Sequence, residues 1–508
     1  MAGSVAIGMA AVTAEAAHRA RALLALGRVD DALAVTTPFA AESGAPAAVL
    51  SAHAAALKAK GDREQALRFY ERAALAAPGS GVAQHNVAAL LGDLRRFEQA
   101  REVAEHALAL GLQAPETHQV HGRALLGLGA LEDAERAFRK ALQQRPDYAD
   151  AHRDLAQLIW MRSGDSTAAG AQLDAALAET PGSARLHLVK ARLLEATGDV
   201  SGAAAVLATA LRAAPADVAL RVAASHMAMM RDEPEEAGIH ADAAASVSSD
   251  LTVLAAACTA RLGLGKAAEA SEVAASMLAR APHNQMAWAL QATAWRLLED
   301  PRWRTVWNFD ELVRSYRIEV PPGWPDLPSY LADLQEALVD LHGALRAHPF
   351  EQSLRGGSQT TQHLEAAPHP AVRAFFAAVD APIRHYLGAL GESLAPLQAR
   401  NTGKYAIAGA WSVLLGRGGS HVDHVHTQGW LSSAFYIDVP STVGQPGRQG
   451  WLRFGQPPFR TRPSLDADHH VRPLPGALVL FPSYIWHGTV PFTADERRLT
   501  VAFDLLPA

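Results

Sequence analysis

The feature that most constrains this chain is a series of alanines. The phrase Gly-x-x-x-x-Ala in KGDREQAL ends at Ala66, and equivalent alanines stand at Ala32, Ala100, Ala134, Ala169, Ala203, Ala237 and Ala270. Successive differences are 34, 34, 34, 35, 34, 34 and 33. Self-similarity at a fixed period of roughly 20–50 residues means stacked supersecondary units rather than one closed core. A second marker, proline, lies twelve residues beyond five of these alanines, at Pro78, Pro146, Pro181, Pro215 and Pro282. The spacing predicts a helix, a tight turn at glycine, a second helix held close by its alanine, and a proline at its end. The repeats beginning near Gly92 and Met230 are degenerate.

Period and markers together resemble the tetratricopeptide repeat over roughly residues 10 to 290. The resemblance implies an all-α superhelix with a groove that holds a peptide or protein partner. No catalytic chemistry is visible in the array. Its histidines His53, His85, His106, His118 and His187 fall in different repeats and read as partly buried polar residues.

Near residue 285 the text changes. Nine of the ten tryptophans stand at or after Trp288. The Pro-rich piece Val320–Pro328 predicts a junction. Helical patterns follow near Ser329–His348 and Ala371–Leu390, with a polar, glycine-containing loop at Ser353–Gln362 between them. In that loop Arg355, Gln359 and Thr360 are candidate donors to a substrate. From Ala406 onward AIAGAWSVLL, WLSSAFYIDV, GWLRFG, ALVLFP and RLTVAFDLL read as short strands without intervening helices, which predicts an antiparallel sandwich or barrel.

Composition excludes several classes of function. Among 508 residues, Lys+Arg number 46 against Asp+Glu 52, so the basic excess of a nucleic-acid binder is missing. One cysteine, Cys258, excludes a disulfide framework and a cysteine-built metal site. No apolar run reaches membrane-spanning length, and the N-terminus reads as an amphipathic helix rather than a secretory signal. The expectation is a soluble, cytoplasmic protein with no nucleic-acid partner and no membrane span.

Histidines cluster in GGSHVDHVHTQGW, at His421, His424 and His426 with Asp423 among them, and His487 ends LFPSYIW further on. Residues i and i+2 on a strand share a face, and a distant third ligand completes a facial set with open positions. In a regular strand His421 and Asp423 point one way and His424 and His426 the other. His421 and Asp423 with His487 make a two-His-one-carboxylate site; His424 and His426 with His487 make a three-His site.

GGSHVDHVHTQGWLSSAFYIDVP, GWLRFGQPP, LPGALVLFPSYIWHGTVPF and RLTVAFDLLP are similar to the 2-oxoglutarate/Fe(II)-dependent oxygenase family often joined to tetratricopeptide arrays, over about 200 residues from Arg302. The resemblance implies a double-stranded β-helix (jelly roll) with flanking helices. It implies metal roles for His424, His426 and His487, with His421 and Asp423 as the runner-up pair. Arg498 is then the clamp for the distal carboxylate of 2-oxoglutarate, and Arg497 faces solvent. Ser433 and Tyr436 are candidate contacts to the co-substrate. The implied cofactors are Fe(II), 2-oxoglutarate and O2, and the implied activity is hydroxylation of a peptide or protein presented by the array. The alternative is a non-catalytic scaffold with a metal-binding, cupin-like domain. The expected organisation is an array over 1–290, a helical support over 291–400 and a β-helix core over 401–508.

Overall fold

In the computed structural model, which describes residues 2–391 and 393–508, helices alternate with tight turns from Ala2 to Leu297. Each repeated alanine is the fourth residue of its hairpin's second helix, as Ala66 is in Arg63–Ala76 and Ala203 in Val200–Ala213. Ala169 is 3% exposed and the other seven are 0% exposed. A methyl group fills the close approach between the paired helices there, and interiors this dense tolerate little more. The prolines stand two residues past a helix end, Pro78 after Ala76 and Pro215 after Ala213, where no helical hydrogen bond is lost.

Five residues before each alanine the backbone turns left-handed. Glycine does this in six hairpins, from Gly164 at φ 68° to Gly61 at φ 96°. The two degenerate repeats keep the same turn with Arg95 and Asp232, both at φ 59°. A left-handed L-residue costs roughly 1–2 kcal/mol, so the rest of the hairpin dictates the turn. Side-chain caps help, Asp62 accepting from Gln65 N and Asp199 from Gly202 N at starts of second helices.

The chain forms two compact units, Met1–Leu155 and Ala156–Ala508. The first consists of helices around a core of small and branched apolar residues such as Val49, Leu50, Val87 and Leu90. The second carries further hairpins and then the strands. Its last hairpin is cut short: Gln285–Leu297 turns at Glu299, φ 56°, into the five-residue helix Arg302–Val306.

The strands are β1 (Arg314–Arg317), β2 (Leu354–Gln359), β3 (Tyr405–His421), β4 (Leu431–Asp438), β5 (Leu452–Phe454), β6 (His469–Val471), β7 (Ala477–Pro482), β8 (His487–Thr489) and β9 (Arg498–Pro507). They make two antiparallel sheets, β1-β7-β4-β9-β3-β2 and β6-β5-β8, the architecture of a jelly roll. The helix Pro370–Ala389 covers the outer face of the larger sheet, with the Phe375 ring 5.0 Å from Phe435 and 6.0 Å from Phe503. Residues of β9 alternate accordingly. Leu499, Val501, Phe503 and Leu505 are buried in the core, while Arg498, Thr500 and Ala502 line an interior cavity.

Two local expectations need correction. The segment expected as a loop at Ser353–Gln362 contains β2, paired with β3 and bulged between Arg355 and Gly357. Its glycines disguise it: Gly356 has φ 68°, and a Cβ on Gly357 would lie 2.3 Å from Leu414 O. Glycine in a strand thus marks a bulge and a close backbone approach. The helix expected to reach His348 ends at His342, before Gly343 at φ 48°.

In the second unit the last repeat helices, from Cys258 onward, share one apolar core with the helices that follow and with the sheets. Trp486, 2% exposed, donates from Nε1 to Thr293 Oγ1 at 2.9 Å. Arg296 donates to Gly455 O at 2.9 Å and to Asp468 Oδ1 at 2.8 Å. Among the described residues no helix is long and apolar enough to cross a membrane.

Candidate metal centre

Strand β3 ends at His421, and the chain bends at Asp423 before His424 enters an isolated antiparallel bridge with His487. His424 N donates to His487 O at 2.9 Å and His487 N to His424 O at 3.0 Å. That bridge sets two imidazoles opposite one another. His426 joins them, and one nitrogen of each of His424, His426 and His487 lies within 4.8 Å of the others. It is the one such group among the described residues.

The tautomers are set by the outer nitrogens. His424 Nδ1 donates to Val422 O at 2.8 Å, His487 Nδ1 to Ile485 O at 2.9 Å, and His426 Nδ1 to Asp504 Oδ1 at 2.6 Å. Each Nε2 is thereby left as a lone-pair donor, the arrangement that outer hydrogen bonds impose on metal-binding histidines. The Nε2 atoms of His424 and His426 stand 3.0 Å apart. Two lone pairs at that distance repel, and a shared cation relieves the repulsion. Burial drives the His424 imidazole down to about 3, with His426 a lesser cause, and holds His487 and His421 well below the usual range. Neutral imidazole is the form that ligates.

The parity expected of a regular strand does not survive the bend. His421, His424 and His426 all line one cavity of about 50 Å³. Asp423 turns away from it. Its carboxylate takes Arg453 Nε at 2.9 Å and Nη2 at 2.5 Å. A Cβ on Gly488 would lie 2.6 Å from Asp423 Oδ1, so the residue after His487 has no room for a side chain. Asp423 braces β5 against β8, and His421 and Asp423 do not share a face. Instead His421 Nδ1 lies 3.0 Å from Ser353 Oγ, which is also 3.1 Å from His424 Nε2.

Arg498 lines the same cavity and is 2% exposed. Its guanidinium sits 5.1 Å from the centre of the Tyr436 ring. Among the described residues no carboxylate is in ion-pair range of it, and its Nε has no hydrogen-bond partner. Burial lowers its pKa, opposed by Tyr436. A buried cation costs several kcal/mol unless an anion answers it, so these residues suit a ligand carrying a carboxylate. Three fixed imidazole donors likewise suit Fe(II).

The other named candidates are placed differently. Ser433 borders the cavity, but its hydroxyl donates to Phe503 O at 2.9 Å and accepts from Phe503 N at 2.8 Å. Tyr436 is buried behind Arg498, with which its side chain interacts. Arg355 donates to Gln352 O and Leu354 O, both at 2.8 Å, and Gln359 is buried at the end of β2; neither lines the cavity. Sequence reasoning missed Asp504, Ser432 and Ser353. A signal for Asp504 existed: a lone acid in an apolar strand, six residues and therefore in phase with Arg498.

A second cavity, of about 440 Å³, adjoins the first through His421 and Thr489, which line both. Its wall includes Asp423, Arg453 and the segment Gln456–Arg460.

Fold and site define a helical-repeat protein ending in a jelly roll with a three-histidine centre. Residues 409–504 match the family model described as "Putative 2OG-Fe(II) oxygenase", and residues 120–184 and 161–225 match two tetratricopeptide repeat models. The chain carries tetratricopeptide repeats and a C-terminal domain of that oxygenase family. Among solved structures it is similar to a tetratricopeptide repeat protein from Parabacteroides merdae, at 15% identity and TM-score 0.35, covering 48% of this chain and 97% of that one. It is also similar to MamA from Desulfovibrio magneticus, at 20% identity and TM-score 0.30, covering 34% of this chain and 97% of that one. PilF of Pseudomonas aeruginosa matches at 15% identity and TM-score 0.30, covering 41% of this chain and 94% of that one. No curated protein matches the chain.

Proposed function

We propose that the protein is a 2-oxoglutarate- and Fe(II)-dependent hydroxylase whose substrate is a peptide or protein segment presented by the repeats. In this reading residues 1–290 present, 291–400 support and 401–508 catalyse. His424, His426 and His487 hold Fe(II), and Arg498 takes the distal carboxylate of 2-oxoglutarate through its planar fork. Bound iron, 2-oxoglutarate and O2 together supply oxidative decarboxylation to succinate and CO2, coupled to hydroxylation of a substrate C–H bond. The chain's own part is placement and exclusion of water. Trp411, Val413, Leu452 and Phe481 give the cavity an apolar lining around its polar groups. The larger cavity beyond His421 is the approach for substrate.

The observation that carries this reading is the juxtaposition of three Nδ1-anchored imidazoles with a buried, carboxylate-free Arg498 in one cavity. The test is succinate formation from 2-oxoglutarate with Fe(II), ascorbate and candidate peptides. Wild-type protein is expected to turn over; His424→Ala is expected to lose metal and activity. Arg498→Ala is expected to keep metal but lose 2-oxoglutarate binding. Metal-loaded protein that binds no 2-oxoglutarate sinks the reading.

A further inference from the structure

Three neutral imidazoles leave a bound divalent ion one positive charge higher than two imidazoles and a carboxylate would. A carboxylate able to answer that charge stands one hydrogen bond behind His426. Asp504 Oδ1 accepts from His426 Nδ1 at 2.6 Å, a charge-assisted length. It also accepts from Ser432 Oγ at 2.8 Å, and Ser432 Oγ in turn lies 2.8 Å from Ser483 Oγ. Space around the network is closed: a Cβ on Gly429 would lie 2.4 Å from Ser483 Oγ and 3.4 Å from Asp504 Cγ. The other two histidines donate to backbone carbonyls, of Val422 and Ile485, which carry no net charge. His426 alone among the three is backed by an anion.

We infer that Asp504 is a positioning residue of the metal centre that supplies, through the His426 ring, the negative charge its three-histidine set lacks. A carboxylate on Nδ1 orients the ring, draws the proton toward itself and makes Nε2 a stronger donor. The face of β9 therefore runs from an anion behind a histidine at Asp504 to a cation at Arg498, matching an electropositive ion and an anionic co-substrate in order. This inference rests on the metal reading above.

Its test is Fe(II) affinity of the full chain, measured by competition with a chromophoric chelator, for wild type and Asp504→Asn. The asparagine keeps an acceptor oxygen but not the charge. Affinity is expected to fall ten- to a hundredfold, while the melting temperature of metal-free protein stays unchanged. The Fe(III)/Fe(II) midpoint potential is expected to rise. A second pair guards against a purely structural effect. In a His426→Asp background, where a carboxylate sits at the ligand position itself, Asp504→Asn removes a like-charge neighbour and is expected to raise Fe(II) affinity. The same loss in both backgrounds, or affinity equal to wild type in Asp504→Asn, overturns the inference. Wild-type protein that holds no Fe(II) overturns instead the reading beneath it.

Discussion

At the scale of single residues, Arg498 is expensive to keep. Its guanidinium is buried beside Tyr436 with no carboxylate in range among the described residues, and a buried charge left without a counter-ion costs several kcal/mol. Arg498→Met is therefore expected to raise the stability of metal-free protein by about that amount in urea unfolding, while 2-oxoglutarate affinity collapses. An unchanged or lower stability would mean that the side chain is solvated or paired in solution. The histidines were legible because their spacing and the phrase around His487 stand out of an apolar background. Ser433, named as a co-substrate contact, borders the cavity but gives its hydroxyl to the Phe503 backbone. Ser433 and Tyr436 are three apart and cannot share a face of a regular strand, whereas Ser432 reaches Asp504 directly.

At the scale of elements, His342 ties the helix Leu327–His342 to two strands. Its Nδ1 lies 2.8 Å from Ser358 Oγ of β2 and its Nε2 3.1 Å from Ser412 Oγ of β3. Burial drives its pKa down to about 4. Between an unfolded value near 6.5 and that figure, the unfolded chain binds a proton the folded one refuses. Its contribution is thus full above pH 6.5 and declines as pH falls toward 4. In His342→Gln the pH dependence of stability over that window is expected to flatten by about 1.4 kcal/mol per pH unit; identical slopes would place this histidine in contact with water. Five strands, β3, β4, β5, β7 and β9, were legible from branched and aromatic runs. Strands β1, β6 and β8, with the sequences RSYR, HHV and HGT, carry no such apolar run, and β2 was hidden by its bulge glycines. The repeat helices were readable because one small residue per period must be small for contact, and Arg95 and Asp232 hid the turn only where glycine was absent.

At the scale of the whole unit Ala156–Ala508, the last hairpin and the sheets are one packed body. Thr293 accepts from Trp486, the residue before His487. Thr293→Val keeps the shape but strands a buried indole N–H, which costs about 1–3 kcal/mol. The expected result is that loss in urea unfolding together with weaker Fe(II) binding, since the displaced indole adjoins His487. Metal affinity unaltered despite the stability loss would show that the two places are mechanically independent. That shared core has a practical corollary for anyone preparing the jelly roll by itself. Cutting the chain after Leu297 would strip the cover from Trp486 and bare an indole to solvent. A soluble jelly-roll fragment would need to begin upstream of the hairpins whose side chains, Cys258, Leu262 and Leu290, belong to the same core.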